Sequence, residues 1–205
     1  MICVTVRGSG RELSDISILR LVRALAMLLV FLVGPASAGE IEIRSAVINT
    51  GEDGYMLDAD VNIELSSRLE EVVSRGVPLY FLTEFELTRP RWYWFDEKVA
   101  VKSLAFRLSY HAITRQYRIS TGALHQSFGT LDEAMRILSR VRDWSVADKA
   151  ALKPGQSYYA AVRMRLDLTQ LPKPLQVTAI GSREWSLASE WLRWTYTADA
   201  ENDAK

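Results

Sequence analysis

The sequence predicts a mainly β domain, an antiparallel β-sandwich of the immunoglobulin-like, Greek-key kind with two short helices. Three observations carry this. Several segments alternate apolar and polar residues with period two, turn-forming residues separate them, and only two stretches change to helical period. The same elements could also build an α+β domain with both helices on one face of an antiparallel sheet.

The first arm, residues 41–48, alternates loosely and runs into the polar, glycine-bearing turn Asn49-Thr50-Gly51-Glu52-Asp53-Gly54. The second arm is the clearest signal in the chain: Tyr55, Leu57, Ala59, Val61, Ile63 and Leu65 alternate with Met56, Asp58, Asp60, Asn62 and Glu64. Asp58, Asp60 and Glu64 lack the glycine and closing glutamate of a calcium loop, so they read as a solvated strand face. A capping box at Ser67-Arg68-Leu69-Glu70 opens a helix whose buried face is Leu69, Val72 and Val73, and Gly76 ends it. The next strand covers residues 77–88 and stops at Arg89-Pro90, because proline donates no ladder hydrogen bond.

Residues 89–120 are the chemically richest stretch. Trp92 and Trp94 share one strand face and Tyr93 and Phe95 the other, with Asp96-Glu97-Lys98 as a turn or exposed edge. Leu104, Phe106, Leu108 and Tyr110 form a second arm, and Ile113, Tyr117 and Ile119 a third, with a turn near His111–Thr114, so the stretch is an antiparallel meander. A second helix starts at the capping box Thr130-Leu131-Asp132-Glu133 and aligns Leu131, Ala134, Met135, Leu138 and Val141 on one face. Arg136, Arg140 and Arg142 then suit its C-terminal dipole. Residues 143–152 have no clear period, although Trp144 needs burial. After the turn Lys153-Pro154-Gly155-Gln156, Tyr158, Ala160, Val162, Met164, Leu166 and Leu168 alternate with Arg163, Arg165 and Asp167 until Leu171-Pro172-Lys173-Pro174 breaks the strand. In residues 184–196 Trp185 and Leu187 are out of phase with Leu192, Trp194 and Tyr196, which a bulge near Ser189 would explain.

The N-terminal segment has the order of a secretory signal: Arg7, Arg11, Arg20 and Arg23, then an apolar run over 24–33, then Ala36-Ser37-Ala38. That run is shorter than the roughly 20 apolar residues that span a bilayer. The expected organisation is a signal peptide over 1–38, cleaved near Ala38-Gly39, one domain over 39–197 and a disordered tail over 198–205. The expected location is periplasmic; an uncleaved leader would instead anchor the chain to the inner membrane. The single cysteine, Cys3, lies in the leader, so no disulfide is expected to support the fold.

Lys+Arg and Asp+Glu are equal at 25 each. The leader takes four arginines and two acids with it, leaving the rest at net −2. Without a basic excess, nucleic acid is not an expected partner. No Gly-x-Ser-x-Gly elbow, zinc spacing or phosphate-cradling glycine loop occurs outside the leader, and the two histidines, His111 and His125, are isolated in sequence. Neither catalytic residues nor a cofactor or metal are expected. The candidate contacts with a partner or ligand are Arg91, Trp92, Trp94, His111, Arg115 and Arg118, because aromatics offer stacking faces and arginines bind anions through a bidentate fork.

The motifs Gly76-Val77-Pro78-Leu79, Arg91-Trp92-Tyr93-Trp94, Leu108-Ser109-Tyr110-His111, Tyr117-Arg118, Leu166-Asp167 with Leu171-Pro172, and Trp185 with Ser189 and Trp191 are similar to those of one family. The chain resembles the proteobacterial family of exported proteins described as domain of unknown function 4390 (DUF-4390). The resemblance implies a periplasmic protein of a family whose genes often sit beside a nitrogen-regulation-type sensor histidine kinase and response regulator, and it brings no catalytic or ligand residues. The expected function is therefore non-enzymatic binding of an envelope protein, with a sensor histidine kinase as the named candidate. The alternative is a small-ligand or glycan-binding module, or a weakly marked hydrolase, built on Trp92, Trp94, Arg91 and His111.

Overall fold

The computed structural model describes residues 39–93, 95–179, 181–182 and 184–198. The expected leader, Trp94 and positions 199–205 lie outside the described residues. Alternation dictates strands wherever one face can be buried, and the nine strands among the described residues are β1 (Glu40–Thr50), β2 (Gly54–Glu64), β3 (Leu79–Arg89), β4 (Glu97–His111), β5 (Gln116–Thr121), β6 (Leu124–Phe128), β7 (Arg140–Asp148), β8 (Ser157–Leu166) and β9 (Leu192–Thr197). The helices are α1 (Ser67–Ser74), α2 (Leu131–Leu138) and α3 (Lys173–Ala179).

Every strand pairing is antiparallel, and the strands form two sheets of order β1-β2-β7 and β6-β5-β4-β3-β8-β9. In the larger sheet β3-β4-β5-β6 is a four-strand meander, and β8 returns by a long connection through β7 of the small sheet to lie beside β3. The sheets face one another across a shared apolar layer, as the expected sandwich requires. At one end of this layer Val61 and Ile63 of the small sheet meet Phe81, Leu108 and Met164 of the large one. At the other, Leu57 and Val146 meet Phe85, Tyr158 and Val162. The period-two set of β2 from Tyr55 to Ile63 is buried throughout, as its alternation predicts.

Helix α1 begins one residue earlier than its sequence signal suggests. The N-cap is Ser66, whose Oγ accepts from the Leu69 N–H at 3.3 Å, so Ser67 is already helical. Its end is a Schellman motif, with Val77 N–H donating to Val72 O at 3.2 Å and Gly76 N–H to Val73 O at 2.9 Å. Gly76 has φ +89°, a conformation that favours glycine. Thr130 does cap α2, its Oγ1 accepting from Glu133 N–H at 3.2 Å.

That second helix is shorter than predicted. It stops at Leu138, and Val141, Arg140 and Arg142 belong instead to β7, which pairs with β2. Leu138 and Val141 are spaced so that they are buried in either conformation, and the vacant ladder edge of β2 decides for strand. The helix over 173–179 starts inside the expected strand break at 171–174 and has no counterpart in the sequence expectations.

The phase change near the C-terminus is the expected bulge. Arg165 opposes Ala188 while Val162 opposes Leu192, which puts one extra residue on the C-terminal chain. Ser189 sits in the bulge, with its N–H donating to Met164 O at 2.8 Å and its Oγ accepting from Met164 N–H at 3.0 Å. Ala198, the first residue of the expected tail, is buried, and its backbone bonds to Gly155 and Gln156.

Candidate functional site

Strand β4 has 15 residues, which makes it about 50 Å long at a strand's rise per residue. It therefore divides the candidate residues into two groups. Arg91 and Trp92 lie in the β3–β4 connection at one end, whereas His111 and Arg118 lie near the other. Arg115 is exposed in the tight β4–β5 turn with φ +53°. Ile113, expected on a strand, is 89% exposed in the same turn.

At the first end, where the alternation predicts a strand through residues 92–95, Trp92 and Tyr93 lie in a turn and Phe95 is outside any strand. Pro90 cannot continue the ladder, and β4 begins only at Glu97, opposite Arg89. Glu97 holds the base of this hairpin by pairing with Arg89 and, at 2.6 Å, with Arg91. Hydrogen bonding from Arg91, reinforced by Arg89, keeps the Glu97 carboxyl below the usual glutamate range. Beyond the pair stand Trp92, Tyr93 and Phe95, which are 94%, 66% and 85% exposed. The Trp92 and Tyr93 rings contact edge to face, 5.1 Å between centroids. A side chain as exposed as Trp92 does not wall a pocket; it projects.

At the second end, register places a polar lattice on the outer face of β4, β5 and β6. Arg107 opposes Ser120, which opposes His125; Ser109 opposes Arg118, which opposes Ser127; and His111 opposes Gln116. Arg118 is central, diagonal to Arg107, His111 and His125, at about 7–8 Å for such neighbours. Two open hollows meet here. One of about 240 Å³ is bordered by Arg107, Ser109, His111, Arg118, Ser120 and His125; the other, of about 380 Å³, shares Arg107, Ser120 and His125 and continues to Tyr80 and Leu124. Sequence reasoning singled out His111 and Arg118 but missed Arg107, Ser109 and Ser120 and set His125 aside. The alternation in Arg107-x-Ser109-x-His111 and in Arg118-x-Ser120 is legible, and what hides the site is that residues 124–128 are mostly exposed, so no buried set marks them as the strand that completes it.

Elsewhere on the outer faces several cations are paired. Glu84 receives Arg163 Nε at 2.5 Å and Arg165 at 3.3 Å. Asp60 pairs with Arg142, whose hydrogen bond holds the carboxyl low. Asp58 accepts from Asn49 and from the Asp143 N–H, so both strand-face aspartates are engaged in structural contacts.

Burial pushes the Glu84 carboxyl up, but the hydrogen bonds from Arg165 and Arg163 outweigh it and hold the group below its ordinary 4.5. A carboxyl lowered by folding stabilises the fold fully above the unfolded value and loses that contribution as pH falls through the folded one. Urea midpoints of wild type and Glu84→Gln are therefore expected to differ at neutral pH and to converge as pH falls below the ordinary glutamate value and on through the lowered folded one.

Comparison with known proteins decides the family. The family model described as a domain of unknown function, DUF4390, matches residues 38–195. The chain belongs to the DUF4390 family. No curated protein and no solved structure matches it. The DUF4390 match takes in both ends of β4, so the aromatic tip and the polar lattice both lie within the family domain.

Proposed function

We propose that this DUF4390 protein is an exported, periplasmic, non-enzymatic β-sandwich that docks on an envelope protein through the β3–β4 tip. The outer domain of a sensor histidine kinase is the first partner to test. The observation that carries the reading is the exposure of Trp92, Tyr93 and Phe95 on one projecting turn. Trp, Tyr and Arg are the residue types that dominate binding energy at protein interfaces, and each large aromatic brings roughly 150–250 Å² to be buried.

Two further observations favour a protein surface as the occupant. Three acids match the three cations behind the tip: Glu97 pairs with both Arg89 and Arg91, Glu86 pairs with Lys98, and Asp96 accepts from the Arg91 N–H at 3.4 Å, so the tip lacks the excess positive charge that attracts anionic lipid. The rival glycan or hydrolase site would need Arg91, Trp92 and His111 around one concavity, and β4 holds them at opposite ends.

The test is co-purification from envelope fractions with wild type and Trp92→Ala in parallel. The reading expects an envelope protein recovered with wild type and lost with the variant. Repeated recovery of none, or equal recovery with both, counts against it.

A further inference from the structure

We propose that the outer face of β4, β5 and β6 is a binding site for a small organic phosphate monoester, separate from the aromatic tip. The first argument is charge. Arg107 and Arg118 sit on diagonal lattice positions, where like charges repel, yet among the described residues neither has a carboxylate partner. Arg107 has only the Tyr80 ring, 5.9 Å from its guanidinium carbon. No Asp or Glu borders either hollow. By contrast, Arg163 and Arg165 on the neighbouring strand share Glu84.

The second argument is hydrogen bonding. Nε of Arg118 is covered from solvent and has no partner, so the central guanidinium is not satisfied by the protein around it. Ser109 and Ser120 add hydroxyl donors, and His125 and the Nε2 of His111, whose Nδ1 is engaged with Thr114 Oγ1 at 3.2 Å, add ring nitrogens, on three sides of that guanidinium. Planar arginine forks with flanking hydroxyls suit a tetrahedral oxyanion with several acceptor oxygens.

The third argument is shape, and it selects an organic monoester over a membrane. The smaller hollow is concave, which suits a single oxyanion better than a flat bilayer surface, and the adjoining hollow leads to Tyr80, Ala105 and Leu124. Leu124 is 79% exposed there. The phosphate would lie over Arg118 and Arg107, with the ester's apolar part against Leu124 and Tyr80.

The test is calorimetric titration of the purified, folded protein with inorganic phosphate, phenyl phosphate and phosphatidylglycerol vesicles. Saturable binding of phenyl phosphate, severalfold tighter than inorganic phosphate, is the expected result. Arg118→Ala should weaken it at least tenfold and Arg118→Lys less, whereas Arg193→Ala, which removes a cation on β9, should leave it unchanged. If Arg118→Ala does not fold, as judged by its thermal midpoint, His125→Ala replaces it and should weaken binding severalfold. The proposal is overturned if phenyl phosphate does not bind, if folded Arg118→Ala binds as wild type does, or if only the vesicles bind.

Discussion

Replacing Trp185 with alanine is expected to destabilise the protein by about 3–5 kcal/mol, a large part of the roughly 5–15 kcal/mol that holds a typical domain together. Trp185 is 1% exposed and belongs to the apolar layer that contains Leu69 and Val73 of α1 and Leu166 of β8. Its segment is also tied to α1, because Ser66 Oγ donates to Glu184 O at 2.9 Å while it accepts from the Leu69 N–H. Truncation would leave a cavity bounded by a helix and a bulged strand end, neither free to collapse inward. Thermal unfolding should show a midpoint lowered by on the order of 10 °C.

The same substitution at Trp92 is expected to leave stability within about 0.5 kcal/mol of wild type, because the ring buries almost nothing in the free protein. Its effect should appear in binding. A central aromatic at an interface typically contributes about 2–4 kcal/mol, so affinity for the envelope partner should fall about 30- to 1,000-fold. Surface-immobilised partner titrated with wild type and Trp92→Ala measures this. The pair of tryptophans thus separates folding from docking: one variant should unfold early and the other should fold normally and fail to bind.

Much of this fold was legible where one face of a strand is buried and the other wet. The alternation of β2 and β8 named their buried residues, and the phase change between Leu187 and Leu192 located a real bulge at Ser189. Prediction failed where a short segment could serve two periods. Leu138 and Val141 fit one helical face, yet Val141 lies on β7 because the edge of β2 needs a third strand, a requirement set by residues more than 80 positions away. Strand β6 escaped notice because Leu124-His125-Gln126-Ser127-Phe128 is exposed over most of its length, so no buried set marks its period.

The candidate site was misread for a related reason. Residues 89–120 drew attention as one rich stretch, and alternation was extended through Trp92 although Pro90 stands just before it. Trp92 and Tyr93 lie in a turn, and Trp92, Tyr93 and Phe95 are exposed where alternation placed them on the two faces of a strand. Sequence proximity also joined Arg91 to His111, which a long strand carries to opposite ends. The neighbours that His111 and Arg118 do have, Arg107 and His125, come from strand register, and register is set by pairing across the sheet.

The central claim is that the β3–β4 tip meets a protein partner in the cell envelope. Its most direct measurement places a photo-crosslinking amino acid at position 92 and, separately, at Val177 on α3, which is 73% exposed. On irradiation of living cells, one discrete adduct of constant mass should form from position 92 and not from position 177. No adduct at position 92, or the same adducts from both positions, would contradict the account.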